Sequence, residues 1–286
     1  MHLVHVVTRL LQAGSEENTI ATCLWQARAG HRVTLLYGRD FDPVWKHRPL
    51  PGVSLVCVPD MVHPINPVQD ARAIFALRQL YAQLQPDVIH THQSKAGILG
   101  RIAARPVPKA RVVHGIHIVP FQDANWFKRK AFVMAERIAA RNTDLFIAVS
   151  QNTAQQYVSA GICENKSAHC VYSGMALNAF QNPSIPADWR EILGQKNRPP
   201  VVLMMAAFEK RKQHITFLNA FRIVLERSPN AKLLLAGAGP LEGAVRSAVV
   251  DLGLPDSVVF CGHRPDPHAL FALADVSVLT SLREGL

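Results

Sequence analysis

Lys210, Arg211 and Lys212 stand together in the turn Ala206-Ala-Phe-Glu-Lys-Arg-Lys-Gln-His214, between an apolar run, Val201 to Met205, and a helical pattern that puts Ile215, Leu218, Phe221 and Leu225 on one face. The spacing predicts strand, turn and helix in that order. Cations at the positive end of a helix dipole raise the free energy unless an anion sits there, and phosphate is the anion such turns hold. A second turn, Gly237-Ala-Gly-Pro-Leu-Glu242, also follows an apolar run, with Pro240 expected at the first helical position. Both turns fall at the carboxyl ends of neighbouring strands, where α/β sheets bind ligands. Glu242 stands where a dinucleotide fingerprint needs its third glycine, and Cys261-Gly-His-Arg264 offers no acidic residue for a ribose, so dinucleotide binding is disfavoured. Gly237 and Gly239 suit a bare helix entry equally well.

Other groups carry weaker chemistry. His90-Thr-His92 places two imidazoles on one strand face, and His114 and His117 follow on the next strand, but no cysteine or carboxylate nearby in sequence completes a metal site. Hydrogen-bonded scaffold is the expectation, with His117 alone singled out. Asp40-Phe-Asp42 has the spacing of a cation-diphosphate clamp, yet it ends a strand before Pro43 and reads as a plain turn. Trp126-Phe-Lys-Arg-Lys130 opens a helix that either lies on an anionic bilayer or packs its apolar face on a sheet; the residues favour neither.

These residues need a scaffold of alternating elements. Short β-branched runs at Leu3-Val7, Arg32-Tyr37, Ser54-Val58, Val88-His90, Arg111-His114 and Leu145-Val149 predict strands. Between them, Glu16-Ala29, Pro67-Leu84, Ala96-Ala104, Phe127-Arg141 and Asn152-Ala160 have helical periodicity. Such alternation implies a doubly wound parallel sheet. Pro183, Pro186, Pro199 and Pro200 bracket one short helical piece, Trp189-Leu193, and mark a linker at 181–200. A second series follows, with strands at Val201-Met205, Leu233-Ala236, Val258-Cys261 and Val276-Thr280, and Ser281-Leu-Arg-Glu-Gly-Leu286 reads as the start of a helix.

The totals suit this plan. The chain has 286 residues, 49% of them hydrophobic, enough for two domains with cores. Its +10 formal charge fits a phosphate-bearing partner or an anionic surface. Between Arg101 and Arg141, nine cations face only Asp123 and Glu136, a local excess of seven. That region has no nucleic-acid recognition motif, so nucleic acid is not expected as a partner. Five cysteines without a Cys-x-x-Cys pair indicate a reducing compartment, and no run is long and apolar enough to span a membrane, so a cytoplasmic or peripheral protein is expected.

Taken in order, Ala13-Gly-Ser-Glu-Glu17, Pro86-Asp-Val-Ile-His-Thr-His92 with Ser94-Lys-Ala-Gly97, His114-Gly-Ile-His117 with Pro120-Phe121, Val149-Ser150, Ser173-Gly-Met175, the Arg211-Lys212 turn, Gly237-Ala-Gly-Pro240, Phe260-Cys-Gly262 and Ser281-Leu-Arg-Glu-Gly285 resemble the motifs of the retaining glycosyltransferases of family 4. The resemblance implies an α/β GT-B fold of two Rossmann-like domains facing a cleft: residues 1–180 on the acceptor side, a linker at 181–200, and a donor domain at 201–286. It implies that Arg211 and Lys212 hold the diphosphate of a nucleotide sugar, with Gly14, Gly237, Gly239 and Gly262 lining the donor. His117 and Glu284 would contact the transferred sugar as the catalytic pair, and Glu16, Ser94 and Lys95 would face the acceptor. Transfer would proceed with retention and without a metal ion or other cofactor. The acceptor would be a glycan or lipid-linked glycan of a cell-surface polysaccharide or lipopolysaccharide, met at an anionic inner-membrane face through Trp126, Lys128, Arg129 and Lys130. The family's second glutamate belongs eight residues after Glu284, at a position this chain lacks, so the donor domain is expected to be truncated. Ala207, Ala13 and Ile118 also depart from the pattern, replacing an additional phosphate-binding Arg and two glycines. A nucleotide-sugar epimerase and an inactive binding module are the rival readings.

Overall fold

A strand covered on both faces is largely apolar, with any polar side chain hydrogen-bonded, and the run His2–Val7 is buried at every position, its two histidines bonded through Thr34, His92 and Gln26. The computed structural model describes residues 1–107, 109–122, 125–174, 177–194 and 197–285. Asp123 of the charge count and Met175 of the Ser173-Gly-Met175 motif lie outside the described residues. The chain divides into two units, Met1–Met175 with Gly285–Leu286, and Ala176–Glu284.

In the first unit the elements run β1 (His2–Val7), α1 (Gly14–Arg28), β2 (Arg32–Gly38), α2 (Val44–His47), β3 (Val53–Val58), α3 (Pro67–Leu84), β4 (Val88–His92), α4 (Ser94–Ala104), β5 (Arg111–Ile116), α5 (Trp126–Ala140), β6 (Leu145–Ala148), α6 (Gln151–Ser159) and β7 (Ala168–Cys170). The strands form one parallel sheet in the order β3-β2-β1-β4-β5-β6-β7, so the winding reverses between β1 and β4. Ligands of doubly wound sheets bind at the carboxyl ends of such a switch point. Residues of α3 and α4, among them Leu77, Tyr81, Leu99 and Ala103, cover one part of the core, while Leu10, Ile20, Tyr37 and Trp45 form another. Local chemistry sets the helix starts: Asn66 accepts from the Gln69 amide with Pro67 at the first position, and Ser150 and Thr153 form a capping box. Gly97 and Gly100 bring α4 close to the sheet, since a Cβ at Gly97 would lie 2.5 Å from His114 Cε1 and one at Gly100 2.7 Å from Thr91 Cγ2.

The second unit contains α7 (Asn178–Gln181), α8 (Trp189–Leu193), β8 (Val201–Met205), α9 (His214–Arg227), β9 (Lys232–Ala236), α10 (Glu242–Asp251), β10 (Val258–Gly262), α11 (Pro267–Leu273) and β11 (Val276–Ser277). Its parallel sheet has the order β10-β9-β8-β11. Phe208, Phe217, Leu218, Phe221, Val245 and Val249 fill one core between α9, α10 and the sheet.

Several expectations are corrected. Pro240 does not open a helix; α10 begins at Glu242, because Leu241 first donates its amide to the Phe208 carbonyl. The buried face of α9 carries His214, Phe217, Leu218 and Phe221, whereas Ile215 is 47% exposed. The strand at Val276 stops after Ser277, and residues 281–285 are not helical. The edge strand β7 was not expected. Its three residues, Ala-His-Cys, carry no apolar run, and its pairing to β6 makes it a strand.

Candidate functional site

In the second unit, Lys210–Lys212 form a single 3-10 turn closed by Gln213, whose left-handed φ of 56° launches α9. Gln213 holds the turn by donating Nε2–H to the Lys210 carbonyl at 2.8 Å, while His214 stacks on Phe208 with ring centroids 4.6 Å apart. The segment after β11 lies along this turn: Thr280 Oγ1 donates to the Lys212 carbonyl at 3.1 Å and the Leu282 amide to the Arg211 carbonyl at 2.8 Å. That contact delivers Glu284. Arg211 Nη1 meets Glu284 Oε2 at 3.2 Å, Lys212 Nζ bonds Glu284 Oε1, and Arg211 Nε is held by Glu209 Oε2 at 2.8 Å. Desolvation alone would raise the Glu284 carboxyl, but the hydrogen bond from Lys212 and the charges of Lys212 and Arg211 outweigh it and hold it below the usual range. The structure therefore brings three of the expected residues to one point. Lys210 stays exposed outside it.

The glycine turn beside them has a packing reason. A Cβ on Gly237 would collide with the Ala206 carbonyl, and one on Gly239 would lie 2.7 Å from the Phe208 amide nitrogen. The bonds Phe208 N–H to Ala238 O and Leu241 N–H to Phe208 O fasten the two turns together. Gly262 ends β10 with φ +62° and accepts the Gly237 amide through its carbonyl, adding a third strand end; nothing stands within 4 Å of its missing side chain. Arg264 is committed to a bidentate pair with Asp266 at 2.7 Å and to Asp188 at 3.1 Å.

In the first unit, Gly14 starts α1, the helix that follows the switch-point strand β1, with nothing within 4 Å of its missing side chain. Glu16, in the first turn of α1, is buried at 2% exposure. Its Oε2 accepts from Ser15 Oγ at 2.5 Å and its Oε1 from Gln93 Nε2 at 3.0 Å. Gln93 has φ 61° and ψ 174°, a region almost reserved for glycine and costing on the order of 1–3 kcal/mol. Its side chain also accepts the Thr8 amide, and Thr8 Oγ1 accepts the Ala96 amide, so the loops after β1 and β4 are tied at the switch point. Sequence reasoning missed Thr8 and Gln93, because no residue pattern announces a non-glycine in that conformation. Ser94 is the first residue of α4, while Lys95 Nζ is engaged by Asp70 at 2.5 Å and by the Pro64 carbonyl. His117 follows β5, and burial lowers its imidazole to about 4. It does not stand alone: His92 Nδ1 and His117 Nε2 are 3.0 Å apart, and His5 Nδ1 and His92 Nε2 2.9 Å. Asp42 is a turn residue, as expected, accepting the Val44 amide and Gln12 Nε2.

Glu16 gives a pH-dependent test. Desolvation raises its carboxyl, against hydrogen bonds from Ser15, its own amide and Gln93 and the charge of Arg9. A raised native value means the group supports the fold fully below the ordinary glutamate range and loses that support as pH rises through the raised value. Glu16→Gln can keep both side-chain contacts. It is expected to melt above the wild type at neutral pH, with the difference vanishing by about pH 4, in thermal denaturation across that range.

Residues 13–178 match the family model Glycosyltransferase Family 4, and residues 187–286 match Glycosyl transferases group 1. The chain belongs to glycosyltransferase family 4. This family member is 28% identical over 243 residues to the UDP-Gal:alpha-D-GlcNAc-diphosphoundecaprenol alpha-1,3-galactosyltransferase of Escherichia coli, covering 82% of this chain and 62% of that one. It spans about three fifths of the length of the first curated relatives it matches. Among solved structures it resembles Anabaena HepE in complex with UDP and glucose (TM-score 0.80, 20% identity, 100% of this chain and 76% of that chain). It also resembles the sucrose-phosphate synthase of Thermosynechococcus elongatus (TM-score 0.79, 20% identity, 100% and 76%). These likenesses establish the GT-B fold class, in keeping with two Rossmann-like parallel units.

Proposed function

We propose that this chain transfers a sugar, with retention, from a nucleotide-sugar donor to a glycan or lipid-linked acceptor in cell-surface polysaccharide or lipopolysaccharide synthesis. The observation that carries the reading is the convergence of Arg211 and Lys212 on Glu284. The two cations would take the donor diphosphate and neutralise the charge that grows on it as the glycosidic bond breaks, which is where electrostatic stabilisation counts most. Glu284 would hold hydroxyls of the transferred sugar, and His117 would contact the same sugar. Gly14 would let the α1 entry approach the phosphates, and Gly237, Gly239 and Gly262 would border the nucleoside. Glu16 and Ser94 would shape the acceptor side, with Lys95 acting through the α3 entry that it ties down. In this reading the cations supply the neutralisation that a metal ion gives elsewhere. The E. coli relative, whose name specifies a diphosphoundecaprenol-linked substrate, supports a lipid-linked acceptor here.

Helix α5 supports an approach to an anionic surface. Its Phe132 and Val133 pack inward, while Phe127 at 76%, Met134 at 58% and Ile138 at 46% exposure form an apolar stripe of helical spacing on the outside. Lys128, Arg129 and Arg137 flank it, and Lys130 Nζ sits 4.0 Å above the Trp126 ring. No helix among the described residues is long and apolar enough to cross a membrane, so a surface-lying helix is the form of contact proposed. One experiment tests both levels. Labelled nucleotide sugars are incubated with and without lipid-linked glycan acceptor in anionic vesicles, and product anomers are assigned by NMR. Acceptor-dependent transfer with retention is expected; sugar isomerisation without acceptor, or no reaction with any donor, would refute transfer. Changing Lys128, Arg129 and Lys130 to Ala is expected to reduce vesicle cosedimentation by one to two orders of magnitude, at roughly 1 kcal/mol per cation. Equal cosedimentation would refute the surface reading alone.

A further inference from the structure

Beneath the switch point, β1 and β4 pair in register with His5 opposite His90, and His92 returns to the same face two residues on. The ring centroids lie 5.0 Å apart for His5–His90, 4.1 Å for His90–His92 and 5.2 Å for His5–His92. One ring nitrogen from each of the three lies within 4.8 Å of the others. Room for them comes from β5, where Gly115 stands opposite His92: a Cβ there would be 3.0 Å from His92 Nδ1 and 3.3 Å from both His90 Nε2 and His117 Nε2. The hydrogen bonds account for His5 and His92 but not for His90, whose buried Nε2 has no partner among the described residues. Buried polar atoms are almost always satisfied, so this nitrogen points to a missing ligand.

We propose that His5 Nδ1, His90 Nε2 and His92 Nε2 form a binding site for a late first-row divalent cation, with Zn2+ the best fit. Tetrahedral Zn2+ at ~2.0–2.1 Å from each nitrogen needs nitrogens about 3.4 Å apart; His5 Nδ1 and His92 Nε2, 2.9 Å apart, would open slightly, and the three ligand atoms already lie within 4.8 Å of one another. All-imidazole donors without a carboxylate select Zn2+, Cu2+ or Ni2+ over Mg2+, Ca2+ and Mn2+. The outer contacts are also those of a metal centre: His5 Nε2–H donates to Gln26 Oε1 at 2.7 Å, fixing Nδ1 as the ligand atom.

Occupation would reach His117. With Gln26 Oε1 as acceptor, the proton of His92 sits on Nε2 and that of His117 also on Nε2, each aimed down the chain of imidazoles. A cation on His92 Nε2 moves the His92 proton to Nδ1, where it donates to His117 Nε2, and the His117 proton moves to Nδ1. Every imidazole keeps one proton, and only the direction of the chain reverses. The site would thus set which nitrogen of His117 is protonated. The cation site itself stands independently of the transfer reading.

The test uses the full chain, stripped with chelator and titrated with Zn2+ alone against a competing chromophoric chelator, and with Co2+ as a spectroscopic substitute. Expected are one equivalent of Zn2+, a tetrahedral Co2+ spectrum, a raised Tm and no competition from Mg2+. His90→Gln, which keeps a polar group of similar reach, is expected to weaken Zn2+ binding by about 100-fold or more. His263→Gln, at an exposed histidine of the second unit, should leave it unchanged. Stoichiometric binding that survives His90→Gln would overturn the proposal. So would a wild-type protein that takes up no Zn2+ and gives no tetrahedral Co2+ spectrum, with a buried water then the partner of His90. The wild-type arm decides even where the variant does not fold.

Discussion

Changing Arg211 and Lys212 together to alanine is expected to weaken nucleoside-diphosphate binding by about 10²- to 10⁴-fold, and each single change by about 10- to 100-fold. A hydrogen bond to a charged group contributes roughly 1.5–3 kcal/mol net, and each ~1.4 kcal/mol is tenfold in affinity. Both side chains already converge on the Glu284 carboxylate, so little ordering remains to be done when an anion replaces it. Calorimetry with a panel of nucleoside diphosphates measures the effect and ranks the bases at the same time. A second signature separates a lost ligand contact from a damaged fold. Glu284 is held below the usual range, so its pairing supports the fold above that range and the support is lost as pH falls through it. The variant should therefore melt slightly below the wild type at neutral pH, and the gap should close on acidification. The carboxylate is partly exposed, so this gap stays small beside the affinity loss. Unchanged affinity in the double variant would remove the basis for a diphosphate site here.

The sequence foreshadowed elements better than contacts, for a physical reason. Pro67–Leu84 and Trp189–Leu193 are bounded by proline, and their observed limits match the expected ones. The turn holding Arg211 was legible because a strand run, a cation cluster and a helical period follow one another without interruption. Glu284 became its partner only through the Thr280 and Leu282 hydrogen bonds, which join positions about 70 residues apart. The histidine cluster was half visible: His90 and His92 alternate within one strand, but His5 is a single polar residue in an apolar run, and only register pairs it with His90. Gly115 was equally silent, since its role is to lack a side chain where three rings meet. Gln93 gave the opposite of the usual signal, because its backbone would lead a reader to expect glycine there. Its three side-chain and backbone contacts hold that geometry in place.

The largest expected loss of stability lies in a pair that the charge count treated as surface. Arg101 of α4 and Glu136 of α5 are both fully buried, with Nη2 and Oε2 2.5 Å apart. Arg101 Nε donates to the Gly97 carbonyl at 2.7 Å, and Nη1 and Glu136 Oε1 have no hydrogen-bond partner among the described residues. Two charges in this setting recover their desolvation only through each other. Glu136→Ala, which strands the guanidinium, is expected to cost about 3–5 kcal/mol, whereas Arg101→Met with Glu136→Leu should come within about 1–2 kcal/mol of the wild type or exceed it. Denaturant melts of Glu136→Ala, and of a double-mutant cycle made from Arg101→Met and Glu136→Leu, read the two outcomes. Additive losses in the cycle would mean that the two side chains act separately. The pair also joins the two helices that carry the proposed acceptor and surface groups, Ser94 at the start of α4 and the Phe127–Met134–Ile138 stripe on α5. If its role is only to neutralise charge, the apolar double variant keeps wild-type vesicle binding. If the ion pair sets how α5 lies on α4, that variant stays folded and loses cosedimentation, because Arg101 grips the α4 backbone at Gly97 and a methionine cannot. The Gly97 hydrogen bond favours the second outcome.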